Sequence, residues 1–125
     1  MEQTDYEQFV EKYKHPAHRG KLKNAKSSEA SNMPCGDNIA VYVSIDKSGK
    51  IVDAKHDGYG CALAVASADM LCDYLIGKKF DDACKTNFEM MTKIIGFTPT
   101  IGRVGCVGVS LDALLKICKL EKDKK

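Results

Sequence analysis

The sequence predicts an α+β chain, with one helix, then strands, then helices to the end. Three observations carry this. Thr4 and Glu7 make a capping box at the start of an amphipathic stretch. Asn38 to Ile45 alternates with period two. Ala62 to Ile76, and then Cys106 to about Leu120, carry apolar residues at helical spacing. With 125 residues in all, the expectation is a single domain over 1–125, long enough for a real core.

Composition narrows the class. Hydrophobic residues make up 44%, as in a soluble globular chain. No apolar run approaches membrane-spanning length, so no membrane partner is expected. The start, Met1-Glu2-Gln3-Thr4-Asp5, is acidic and lacks the apolar run of a secretory signal, which points to the cytoplasm. A net charge of +2 is too small to argue for nucleic acid. Lys119, Lys122, Lys124 and Lys125 are mixed with Glu121 and Asp123 and read as a solvated, fraying tail.

The first helix is expected from Thr4 to about Tyr13, with Tyr6, Phe9, Val10 and Tyr13 on one face, ending before Pro16. Lys14 to Pro34 reads as a long polar surface connection. His15 and His18 lie within it and read as surface histidines, because Pro16 breaks the helix that would align them. In the strand Asn38 to Ile45, Ile39, Val41, Val43 and Ile45 point one way and Ala40, Tyr42 and Ser44 the other. Asp46-Lys47-Ser48-Gly49 is a hairpin turn, and Ile51 to about Asp57 returns as a second strand. A short third strand is placed around His56 to Tyr59, with His56 satisfied or exposed. The next helix stops at Gly77. A short helix follows over Phe80 to Lys85, and Asn87 caps another over Phe88 to Ile95, ending at Gly96. Phe97 to Gly102 is a loop before the last helix.

The six cysteines fall into two groups. A reducing compartment and a chain this large argue against three disulfides, and no CxxC pair is present. Cys72 and Cys118 sit inside helical stretches and read as core filler, with Cys84 less defined. Cys35, Cys61 and Cys106 each stand beside glycine at a turn or a helix start. A helix N-terminus favours an anion, hence the thiolate that binds metal or attacks sulfur. In Met33-Pro34-Cys35-Gly36-Asp37, Pro34 fixes its own φ and Gly36 permits a tight turn, so Cys35 and Asp37 could clamp one metal ion. Three thiols and one carboxylate from distant segments suggest one assembled site. There is no internal repeat, P-loop, G-x-G-x-x-G or serine-hydrolase elbow.

Four segments resemble the iron–sulfur cluster scaffold family, comprising IscU, the NifU N-terminal domain and SufU. Tyr13-Lys14-His15-Pro16-Ala17-His18-Arg19-Gly20 is similar to its Tyr-x-x-Pro-x-x-x-Gly opening. Met33-Pro34-Cys35-Gly36-Asp37 resembles its Pro-x-Cys-Gly-Asp motif. Gly60-Cys61 through Ala66-Ser67 resembles its second cysteine and helix start, and Arg103-Val104-Gly105-Cys106 its third cysteine. The resemblance implies a small three-stranded antiparallel sheet with helices packed on one face. It implies that Cys35, Cys61 and Cys106 accept sulfur from a cysteine desulfurase and, with Asp37 as a labile fourth ligand, hold a transient [2Fe-2S] cluster. Apo iron–sulfur acceptor proteins would receive it. Thiolates suit such iron, and a carboxylate is a harder, weaker partner.

Two departures matter. Where IscU-type members have histidine before the third cysteine, this chain has Gly105, so histidine ligation there is excluded. Pro99-Thr100-Ile101-Gly102-Arg103 replaces the Leu-Pro-Pro-Val-Lys stretch that a dedicated Hsp70-type chaperone recognises, so that docking is not implied. Both lean toward SufU, whose members bind zinc in a Cys-Asp-Cys-Cys set and transfer sulfur. A zinc-dependent sulfurtransferase is therefore the second reading, and zinc can occupy the same four residues. The short stretch between Cys61 and Cys106 is IscU-like instead. Arg103, three residues before Cys106, could stabilise thiolate, persulfide or cluster charge, but as a lone arginine it reads first as a surface ion-pair member.

Overall fold

The structure, a computed structural model, describes residues 3–123, and within them every side chain but those of residues 3–6, 8 and 35. The elements run α1 (Gln3–Lys14), β1 (Lys26–Asn32), β2 (Asp37–Ile45), β3 (Ile51–Tyr59), α2 (Ala62–Leu75), α3 (Phe80–Ala83), α4 (Phe88–Ile95) and α5 (Val104–Asp123). Short 3₁₀ turns occupy Met33–Cys35 and Ile101–Arg103. The three strands form one antiparallel sheet in the order β1-β2-β3, as expected for the fold class.

The alternation in β2 does what its pattern requires. Ile39, Val41 and Val43 are buried, while Ala40, Tyr42 and Ser44 are half-buried on the other side. Ile45, beside a register shift at Ser44 and Ile45, is only half-buried. The buried strand residues join Ile51 and Ala54 of β3, Leu71 and Leu75 of α2, and Val107, Leu111 and Leu114 of α5 in one core. The helices thus cover one face of the sheet. Burying each such leucine stabilises the fold by roughly 1.5–3 kcal/mol.

Several elements differ from expectation. The polar connection Lys14 to Pro34 contains β1, with only Ala30 buried. Its backbone pairs with β2 from Lys26↔Val43 to Asn32↔Asp37. Neighbouring backbone, not side-chain pattern, makes it a strand. His56 to Tyr59 is no separate strand, because β3 runs unbroken through it. Its free edge is met by residues 18–20: His56 N–H donates to His18 O and Gly20 N–H to His56 O. Helix α1 already includes Gln3, so Thr4 does not precede it. The side chains of Thr4 and Tyr6 lie outside those described. Phe9 packs on the core and edge-on to Phe97, whereas Tyr13 is exposed. Helix α5 continues to Asp123, so Lys119 and Lys122 are helical rather than frayed. Met1, Glu2, Lys124 and Lys125 lie outside the described residues.

The largest correction concerns the cysteines. Cys84, at the C-terminal end of α3, and Cys118 of α5 form a disulfide with Cα atoms 5.8 Å apart. Neither is plain core filler. The fold brings them within disulfide reach across 34 residues of sequence. Cys72 is fully buried, as expected. Burial, then the charges of Asp69 and Asp73, push its thiol well above the ordinary range, so it is chemically inert. Among the described residues no helix is long and apolar enough to cross a membrane.

Candidate metal centre

Two strand ends and two helix starts converge at one end of the sheet. At the end of β1, Asn32 leads into the turn Met33–Cys35. Gly36 closes this turn at φ 71° with its N–H donated to Met33 O, and Asp37 opens β2. Beyond β3, Gly60 leads to Cys61, the N-cap of α2. Helix α5 begins at Val104, so Cys106 falls within its first turn rather than at its cap.

One ligand atom from each of Asp37, Cys61 and Cys106 lies within 4.8 Å of the other two. Three of the four residues singled out by the sequence therefore meet. The backbone of the fourth, Cys35, sits in the adjoining turn, while its side chain lies outside those described. Asp37 and Cys106 are buried and Cys61 is half-buried.

Asp37 is held from two sides. Cys61 N–H donates to Asp37 Oδ1 at 2.8 Å, and the Asn32 side-chain amide donates to Asp37 Oδ2 at 3.0 Å. The first contact requires glycine at position 60, where a Cβ would stand 2.8 Å from Asp37 Oδ1. The Asn32 amide also donates to Cys106 Sγ at 3.6 Å. Asn32 was not visible as a site residue in the sequence. Its only signal was its place just ahead of the Cys-Gly-Asp turn.

The donor set fits a metal. Two sulfurs and a carboxylate oxygen match the chemistry of zinc and of iron–sulfur clusters. Among the described residues no lysine, arginine or histidine pairs with Asp37. A buried carboxylate without a counter-charge is costly, and a bound cation relieves that cost. Arg103 is exposed and, among the described residues, takes part in no ion pair.

A second cluster looks similar by composition alone. His18, Asp69 and Asp73 also bring ligand atoms within 4.8 Å of one another. There, however, the cation is already built in. Lys12 Nζ lies 3.3 Å from Asp69 Oδ2 and pairs with Asp73. Asp69 also accepts from His18 N–H at 2.8 Å and Ala17 N–H at 3.3 Å, and its Oδ1 lies 2.9 Å from His56 Nε2. Burial alone would raise the Asp69 pKa. The bonds from His56, His18 N–H and Lys12 overcome that and bring it to about 2. For Lys12, burial works against the charge, and the bonds to Asp73 and Asp69 still hold its pKa above the usual value. His56 is buried and satisfied, as expected. His18 is half-buried against Asp73 rather than a plain surface residue, and His15 is exposed.

Residues 4–117 match the NifU-like N terminal domain family. The iron-sulfur cluster assembly enzyme IscU of Drosophila melanogaster is 29% identical over 127 residues, covering 96% of this chain and 81% of that protein. The zinc-dependent sulfurtransferase SufU of Bacillus subtilis is 37% identical over 82 residues, covering 64% of this chain and 54% of that one. The crystal structure of a NifU-like N-terminal domain from Brucella abortus superposes with a TM-score of 0.74 at 20% identity, covering 94% of each chain, and shows the shared fold. With the glycine-flanked cysteines and Asp37 gathered at one end of this sheet, the chain belongs to the NifU-like N terminal domain family.

Proposed function

We propose that this chain is a scaffold that assembles a [2Fe-2S] cluster and hands it on, with Cys35, Asp37, Cys61 and Cys106 as its ligands. One observation carries the reading: Asp37, Cys61 and Cys106 converge, and among the described residues no cationic side chain pairs with their carboxylate. Cys35 is added on its place in the turn two residues before Asp37. The names of the relatives, cluster assembly proteins among them, support the same reading.

Sulfur would come from a cysteine desulfurase. A scaffold thiolate attacks the terminal sulfur of the desulfurase persulfide. A new S–S bond forms on the scaffold, the old one breaks, and the desulfurase thiolate leaves. That transfer is neither a net oxidation nor a reduction. Later conversion of this sulfur to cluster sulfide draws electrons from a separate reductant. Met33, Tyr59 and Ile101 are exposed apolar residues close in sequence to the candidate ligands. They give a desulfurase or an apo acceptor protein something to dock on.

Anaerobic incubation with ferrous iron, cysteine, a desulfurase and a reductant is expected to give a coloured [2Fe-2S] protein by absorption spectroscopy. Asp37→Ala is expected to slow loss of that cluster to an acceptor. A chain that takes up no iron under these conditions would not be a scaffold.

A zinc-dependent sulfurtransferase is the second reading. It is favoured by the likeness to SufU and by Gly105, which offers no ligand at that position. Cys35, Asp37, Cys61 and Cys106 would then hold zinc, which would keep the cysteines as thiolates, the form that attacks a persulfide. Desulfurase turnover with and without chelation of zinc separates the readings. Stimulation that survives zinc removal rules this one out.

A further inference from the structure

We infer that Asn32 is a positioning residue of the metal centre, and that its side chain fills the space beside Gly105 and so closes position 105 to any ligating group. The inference rests on the ligand reading above and adds a residue to it.

The strand register places Asn32 opposite Asp37, at the last pair of the β1–β2 ladder. From there its amide reaches two candidate ligands at once, Asp37 Oδ2 at 3.0 Å and Cys106 Sγ at 3.6 Å. An amide nitrogen carries two N–H donors, one for each. Turned over, Asn32 would set its carbonyl oxygen against a carboxylate and a thiol, so these contacts fix its orientation. The donor is neutral. It orients the carboxylate and the sulfur without cancelling their charge, and each keeps lone pairs for metal. A lysine here would neutralise the site, as Lys12 does for Asp69.

The other side of the same amide meets Gly105. A Cβ at position 105 would stand 2.6 Å from Asn32 Oδ1 and 2.9 Å from its Cγ. Residues 32 and 105 thus compete for one volume. Any side chain at 105 must shift the Asn32 amide from the position in which it bonds Asp37 and Cys106.

The test is a double-mutant cycle on the full chain, using Co²⁺ for its visible spectrum and Zn²⁺ competed against a chelator. Asn32→Ala is expected to weaken zinc binding about 10- to 100-fold, the usual effect of losing a group that orients a ligand. It should also alter the cobalt–thiolate bands. Asn32→Asp keeps the shape but sets a carboxylate against Asp37, and should weaken binding further. Gly105→Ala alone should reproduce the Asn32→Ala effect, because it displaces the same amide. In the Asn32→Ala background it should cost little more. Circular dichroism and melting confirm folding, and Asn32→Ser, which retains a donor, substitutes if Asn32→Ala does not fold. If wild type binds no Co²⁺, the ligand reading falls and this inference with it. If wild type binds and the Asn32 variants match it in spectrum and affinity, only the inference falls. It falls equally if Asn32→Ala and Gly105→Ala add independently.

Discussion

Two buried aspartates sit in the same small fold and are wired differently. Asp69 accepts from two backbone N–H groups and contacts His56 and the Lys12 ammonium. Asp37 accepts from one backbone N–H and one neutral amide, with two thiols as neighbours and, among the described residues, no cation. Each belongs to a trio of residues that could hold a metal ion by proximity alone. Proximity of ligand atoms is therefore a poor guide, and local charge balance separates the two. Where a lysine already closes the circuit, the cluster is a structural lock tying α1, the following loop and β3 to α2. At Asp37 no such lysine stands among the described residues.

The largest expected effect breaks the lock. Asp69→Ala leaves Lys12 and His56 with no buried partner and should cost roughly 3–5 kcal/mol, read as a lower urea midpoint with unchanged slope. A cost below about 1 kcal/mol would make the two clusters alike. Next comes the disulfide, a second lock far from the thiols of the site. Reducing Cys84–Cys118, or replacing both with serine, should lower stability by about 2–4 kcal/mol. The Co²⁺ spectrum of the site should not change.

Acid gives a third comparison. The folded pKa of Asp69, about 2, lies below its ordinary value of 3.8. A depressed carboxylate stabilises the fold above its unfolded pKa, and that contribution fades as pH falls through the folded one. About 2 kcal/mol should be lost between pH 4 and pH 2. Urea midpoints across that range should slope in wild type and flatten in Asp69→Asn. The smallest effect is expected at the other aspartate. In metal-free protein, Asp37→Ala should cost under about 1 kcal/mol, because removing an uncompensated buried carboxylate offsets the lost hydrogen bonds. A cost matching that of Asp69→Ala would show that Asp37 is a lock as well.

The elements whose own residues carry the signal were legible in advance. The alternation from Ile39 to Val43, the helical spacing from Leu63 to Tyr74 and the Asn87 cap, whose side chain accepts from Met90 N–H, all appear as read. β1 was not legible, because Lys-Ser-Ser-Glu-Ala-Ser-Asn has almost no inward apolar residue. Pairing with β2, and Lys116 Nζ donating to Glu29 O from α5, hold it in place. Missing β1 meant missing Asn32 at its end. Asp69 had one faint signal, a charge inside the apolar run Ala62 to Cys72, and nothing nearby named its partners.

Residue types and local spacing alone marked the groups proposed as metal ligands, Cys35, Asp37, Cys61 and Cys106, each at a turn or near a helix start. Tertiary structure decided everything that depends on a partner far along the chain. It put Asn32 between Asp37 and Cys106, gave Lys12 to Asp69 but, among the described residues, no cation to Asp37, and joined Cys84 to Cys118. The physical reason is range. Helix and strand periodicity reports on neighbours within a turn or a pleat, whereas charge balance at a site is settled by what packing brings alongside it.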